Sequence, residues 1–260
     1  MIFFYAPFLY TFKTRLISIE KIISWGMIYI IPISIANFIL NIEHNGFIDF
    51  FNLFLSFSLV YSLYELGYIY NDAVTIKNEA KPTLRLSIAE LQFFYRHKIT
   101  IVFIRVFIAL LLSIFISNEY GVGVYLTWLL IPLYVGYNKI RSRWNLPLHF
   151  LLVTLRYSCP VLAVNGDVIV VFIMFVIFSL INLIERGGEK RFNFLFLQKS
   201  IFNNHDRFRC IYYGIMFIMA WGIYTWNQNS IAFYTLLVLT IYFFIYRTLL
   251  YLMVSIKGGR

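Results

Sequence analysis

The sequence predicts an all-α, polytopic transmembrane bundle of about eight spans, eight to nine within the softness of their ends, in one domain over residues 1–260. Three observations predict it. Hydrophobic residues make up 61% of the chain and charged residues 13%, against about 25% charged in soluble domains. The apolar residues gather into runs near the roughly 20 residues a helix needs to cross the hydrocarbon core. Lys and Arg crowd into alternate connections, as the positive-inside rule requires.

Residues 1–19, with Lys13 and Arg15, read as an interfacial or amphipathic lead-in, with re-entry into the membrane as the alternative. Pro7 and Lys13 interrupt the apolar start and no basic stretch precedes it, so a cleaved signal peptide is not expected. The first span covers about 21–42 and the second about 48–70, joined through Glu43, His44 and Asp49. A long polar loop, 71–97, follows. The third span (about 98–117) turns at Asn118 and Glu119 into the fourth (about 121–138), which ends in the basic Lys139, Arg141 and Arg143. Spans five (about 146–164) and six (about 167–184) are joined by Asn165-Gly166-Asp167. A second long loop, 185–209, leads to spans seven (about 210–226) and eight (about 229–255).

With eight spans both termini and both long loops are expected on the cytoplasmic face. The net charge of +10 is then topology rather than a nucleic-acid surface, since no basic run stands apart from the spans. Cys159 and Cys210 fall in apolar segments, which argues against a disulfide framework or a zinc site.

The two long loops carry the chemistry. Asn71 and Asp72 close the second span, Glu79 lies seven residues beyond Asp72, and Lys77, Lys81 and Arg85 are interleaved with them. In the second loop Glu185 and Glu189 stand four apart, followed by Lys190 and Arg191. Hard oxygen ligands suit Mg²⁺ shared with substrate phosphates, and Lys and Arg neutralise the oxygens the metal leaves free. Glu65, Arg105, Arg156 and Arg247 lie inside spans, where each charge costs about 2.5 to 3.5 kcal/mol at a helix centre and usually faces a cavity or a partner, with snorkelling to the carboxyl-terminal interface as the reading for Arg247. Glu65 shares the face of Asp72 one level deeper, either as an anchor for a cation or sugar hydroxyl or as the partner of Arg156 or Arg105.

The sequence resembles the UbiA-type superfamily of intramembrane prenyltransferases. Their first motif, N-D-x-x-D-x-x-x-D with a basic tail, is matched by Asn71-Asp72, Thr75 in the middle acidic place, Glu79, Pro82 and Arg85; their second acidic pair is matched by Glu185 and Glu189. Tyr137-Asn138-Lys139, Leu155-Arg156 and Lys190-Arg191 resemble the branch that transfers phosphoribose from phosphoribosyl diphosphate to a polyprenyl phosphate. The resemblance implies Mg²⁺ on Asp72, Glu79, Glu185 and Glu189. It implies donor phosphates on Asn71, Lys81, Arg85, Lys190 and Arg191, and the acceptor or ribose phosphate on Lys139, Arg141 and Arg156. It further implies a bacterial cytoplasmic membrane, a site facing the cytoplasm and a role in cell-envelope polysaccharide synthesis with undecaprenyl or decaprenyl phosphate. The alternatives are a prenyltransferase that moves a polyprenyl group from its diphosphate to an aromatic or small acceptor, and a non-enzymatic transporter or assembly subunit. Asp72→Asn is expected to abolish turnover with little effect on stability.

Overall fold

The structure, a computed structural model, describes residues 1–41, 50–78, 82–116, 121–140, 142–189, 192, 194–202 and 204–258. Among the described residues there is no strand. In chain order the helices are α1 (Leu9–Thr14), α2 (Ile19–Asn41), α3 (Phe50–Ala73), α4 (Ile88–Ile116), α5 (Gly121–Trp128), α6 (Leu130–Lys139), α7 (Asn145–Asn165), α8 (Ile169–Gly187), α9 (Leu195–Phe202), α10 (His205–Trp226) and α11 (Ile231–Gly258).

Six of these, α2, α3, α4, α7, α8 and α11, are long and apolar enough to cross a membrane. The two remaining expected spans are weaker. Residues 121–139 are broken at Leu129 into α5 and α6, and α10 opens on His205, Asp206, Arg207 and Arg209. The third expected span also begins earlier than its apolar run. Helix α4 starts at Ile88 because Ser87 and Glu90 form a reciprocal cap, the Ser87 N–H donating to Glu90 at 2.8 Å and the Glu90 N–H to the Ser87 hydroxyl at 3.3 Å.

Helices α3 and α7 run through the middle of the bundle. Against α7, α5 packs so closely that a Cβ on Gly123 would lie 2.3 Å from the Ala163 backbone nitrogen, so only glycine fits there. Tyr157 of α7 stacks on Phe178 of α8 at 3.8 Å, and Tyr213 of α10 stacks on Phe243 of α11 at 4.9 Å. At one end of the bundle Asn165 donates to the Leu40 carbonyl and the Asn41 side chain, tying the end of α7 to the end of α2. At the other end Asn145 donates to the carbonyls of Tyr137 and Ile140, closing the turn from α6 into α7. The ends of α3, α6 and α8 therefore share one face.

Three helices depart from regular geometry, and in each a tyrosine hydroxyl repairs the backbone. Residues Gly26–Ile30 of α2 and Phe175–Ser179 of α8 are π turns. Tyr242 donates to the Met27 carbonyl at 2.7 Å, and Tyr212 and Tyr213 donate to the carbonyls of Val176 and Ile177 at 2.5 and 2.8 Å. In α7, Pro160 has no N–H to offer the carbonyl four residues earlier, that of Arg156, and Tyr29 donates to it at 3.1 Å. Hydrocarbon offers no water to these groups, so another helix must satisfy them.

Candidate functional site

The site is assembled around the amino-terminal segment, which enters the bundle rather than lying along its surface as the interfacial reading expected. Phe4 and Tyr10 are fully buried against Ile69, Ala73, Phe94 and Ile101. Two charges inside the apolar spans fix this segment. Arg105 of α4 reaches Glu65 of α3 at 2.7 Å, with both side chains fully buried. The rest of the guanidinium donates to the carbonyls of Phe3, Phe4, Ala6 and Tyr61, while the other Glu65 oxygen accepts the Thr11 N–H at 2.6 Å. Glu65 is thus the partner of Arg105, and it ties down the backbone of residues 3–11.

That anchoring delivers Tyr10 and Arg15 to Asp72 at the end of α3. Asp72 is 2% exposed. Arg15 holds both of its oxygens, at 2.6 and 3.0 Å, Tyr10 donates its hydroxyl at 2.9 Å, and Arg85 adds a bond of 3.2 Å from the loop after α3. Burial opposes the Arg15 charge, but the hydrogen bond to Asp72 and its negative charge outweigh this and hold the pKa above the ordinary value. Burial, and then the Asp72 charge, push the Tyr10 phenol well above its ordinary value, so it remains a donor. Asn71 is engaged by Thr75. Its side-chain oxygen accepts the Thr75 hydroxyl at 2.8 Å, so the residue in the motif's middle acidic place secures the helix end.

Beneath this cluster lies Arg156, about 16 Å along α7 from Asn145 at 1.5 Å per residue. Among the described residues it has no carboxylate partner. Its guanidinium donates to Tyr61 at 2.7 Å and Tyr68 at 3.5 Å, and lies 4.6 and 4.8 Å from the ring centres of Tyr29 and Tyr64. Its Nε has no hydrogen-bond partner. Trp25 donates to the Tyr61 hydroxyl at 2.8 Å and closes the cage. Tyr68 joins the two levels, since Arg15 lies 4.3 Å from the centre of the same ring.

The described part of the second loop carries its own ion pairs. Glu185 is held by Arg209 at 2.6 and 3.0 Å. Glu189 comes within 4.0 Å of Arg186, which donates to the Tyr137 hydroxyl at 2.6 Å. Lys139 is exposed at the end of α6. Glu79, Lys81, Arg141, Lys190 and Arg191 lie outside the described residues.

Of the four acids expected to hold Mg²⁺ the structure describes Asp72, Glu185 and Glu189, and the first two are engaged by other side chains. Guanidinia and a phenol occupy the oxygens of Asp72, Arg209 takes those of Glu185, and among the described residues no three acids, histidines or cysteines gather into one group. The cluster sets two guanidinium groups against one buried acid, Asp72, and guanidinium groups are suited to pairing with carboxylates and phosphates. Sequence reasoning missed Tyr10, Arg15, Tyr61, Tyr68 and Arg186. The available signal was Arg105, whose five donors in mid-span require more acceptors than one glutamate supplies. Comparison with protein-family models, with curated proteins and with solved structures returns no match.

Proposed function

We propose that the chain is an integral membrane transferase that moves a phosphoribosyl group from phosphoribosyl diphosphate to a polyprenyl phosphate, for cell-envelope polysaccharide synthesis. The observation that carries this reading is Arg156, a guanidinium held by tyrosines in mid-bundle with no carboxylate partner among the described residues, directly below a second cationic level at Arg15 and Arg85. A half-buried intramembrane charge of this kind is expensive unless it has a partner, a cavity or a ligand. The donor carries a diphosphate and a separate phosphate, and so suits two cationic levels.

In this reading Arg15 and Arg85 take the diphosphate while Asp72 keeps both guanidinia oriented, and Arg156 takes the ribose phosphate. Lys139, with Arg141, receives the acceptor phosphate, and Lys81, Lys190 and Arg191 are assigned to the donor phosphates from the motif alone. The bond from the anomeric carbon to the diphosphate oxygen breaks, and the electron pair leaves with the diphosphate. An acceptor phosphate oxygen forms the new bond to that carbon. The guanidinia stabilise charge on the leaving group, and the aromatic walls exclude water that would hydrolyse the oxocarbenium-like centre. The same reading has α5–α6 and α10 completing eight crossings of a bacterial cytoplasmic membrane, with both termini and the site facing the cytoplasm.

The test is incubation of the protein in detergent with undecaprenyl phosphate and radiolabelled phosphoribosyl diphosphate, with and without EDTA. Label in the lipid phase supports the reading, and the EDTA arm reports whether a divalent cation is required. Consumption of a polyprenyl diphosphate without phosphoribosyl transfer would make the protein a prenyltransferase. Inactivity with both donors would favour a transporter or assembly subunit.

A further inference from the structure

Helices α3, α4 and α6 enclose an apolar furrow of about 240 Å³ on the outer side of the tyrosine cage, lined by Leu63 and Gly67, Ile101 and Val102, and Ile131 and Val135. Its back wall is the Tyr134 ring. That ring fits only because residue 67 is glycine: a Cβ there would lie 2.2 Å from it. The other side of Tyr134 meets Tyr64 at 5.0 Å and Tyr68 at 6.4 Å, the tyrosines around Arg156, so a single aromatic layer separates furrow from cage. A second recess of about 770 Å³, reaching Lys98 and Phe103, adjoins it through Tyr70, Phe94 and Val102.

The furrow is apolar along its length and polar at one end. Asn138 lines that end, is 7% exposed, and its Oδ1 has no hydrogen-bond partner; the exposed Lys139 stands beside it. Rotation of the amide exchanges its oxygen for the two-donor nitrogen, so this end offers a cation and two N–H donors to a phosphate. From Ile131 to Lys139 the helix rises about 12 Å. That is under half of a hydrocarbon core of about 30 Å, so the polar end lies toward the face that carries Asp72 while the apolar end stays within one leaflet.

We propose that this furrow seats the first part of the polyprenyl phosphate chain, with its phosphate on Asn138 and Lys139. The proposal rests on the transferase reading for the identity of the lipid. It gives the acceptor a side entrance between α3, α4 and α6, separate from the Asp72 cluster to which the transferase reading assigns the soluble donor.

The test is photolabelling in nanodiscs with a polyprenyl phosphate that carries a diazirine near the phosphate end of its chain. Label is expected on α4 and α6 near Val102 and Val135. Val135→Trp, which fills the furrow from a lipid-facing position, is expected to lower labelling about tenfold. Leu110→Trp, further along α4, is expected to label as the wild type does, and both variants to melt at the wild-type temperature. Label elsewhere, an unaffected Val135→Trp, or equally effective displacement by phosphatidylglycerol would overturn the furrow. Failure of the reaction reads differently: specific furrow labelling without phosphoribosyl transfer keeps the lipid site and removes the transferase, whereas transfer with an unchanged lipid KM in Val135→Trp keeps the transferase and removes the furrow.

Discussion

Glu65 and Arg105 meet at 2.7 Å with neither side chain exposed, and between them they hold the amino-terminal segment by one N–H and three of its carbonyls. Removing one member leaves the other charge buried and unpaired, which costs about 3–5 kcal/mol. Glu65→Ala and Arg105→Ala are each expected to lower the melting temperature in detergent sharply. Glu65→Leu with Arg105→Leu should recover most of the loss, yet leave residues 1–15 open to trypsin at Lys13 and Arg15. Wild-type stability in the single variants would refute the lock.

Asp72→Asn is expected to reduce stability as well as turnover, contrary to the reading from sequence. The change leaves Arg15 and Arg85 without their shared counter-ion. Because these guanidinia are 19% and 32% exposed, the cost should be about 2 kcal/mol, below that of a fully buried pair. Arg15→Lys should fall between, since an ammonium cannot hold both oxygens. Denaturant titration beside the transfer assay would check both effects.

Arg156→Leu should behave in the opposite way. No carboxylate among the described residues is left unpaired, so melting should stay at or above the wild-type temperature. Phosphoribosyl transfer should drop about 100-fold, the equivalent of about 2.7 kcal/mol for a charged hydrogen bond to phosphate. An active Arg156→Leu would remove the observation on which the transferase reading stands.

Burial, and then Asp72, raise the pKa of Tyr10, so its contribution to stability is fully present below the unfolded phenol pKa of about 10 and is lost as pH rises above it. The difference in melting temperature between wild type and Tyr10→Phe should therefore be flat from about pH 6 to 9 and shrink above about 10. A difference that shrinks on acidification instead would place the titrating group elsewhere.

Gly67→Ala forces the Tyr134 ring away from α3 and is expected to cost about 1–3 kcal/mol. Tyr134→Leu in the same chain should return part of it. Additive losses in the double variant would show that the two positions do not meet.

The membrane class was legible because it depends on composition and on the length of apolar runs, which no tertiary contact alters. Helix ends were less so: the cap at Ser87 and Glu90 extends α4 through residues too polar to belong to the apolar run. In the site, Asp72 and Arg156 were marked as charges in unusual places, but their partners were hidden. Arg15 resembles any basic residue that sets topology, and its reach to Asp72 follows from a fold-back dictated by Glu65 and Arg105, 50 and 90 residues away in the chain. The tyrosines around Arg156 looked like ordinary aromatic content because their spacing follows the helix rather than a motif.

The tyrosine hydroxyls that close open carbonyls also impose an order of assembly. Helix α2 is synthesised long before α11, but its π turn receives the Tyr242 hydroxyl only when α11 arrives, and the π turn of α8 waits for Tyr212 and Tyr213 of α10. A nascent chain that has inserted only its first 204 residues carries bent helices with unmet acceptors in hydrocarbon. The last two helices therefore supply the hydroxyls that complete the backbone hydrogen bonding of helices inserted before them.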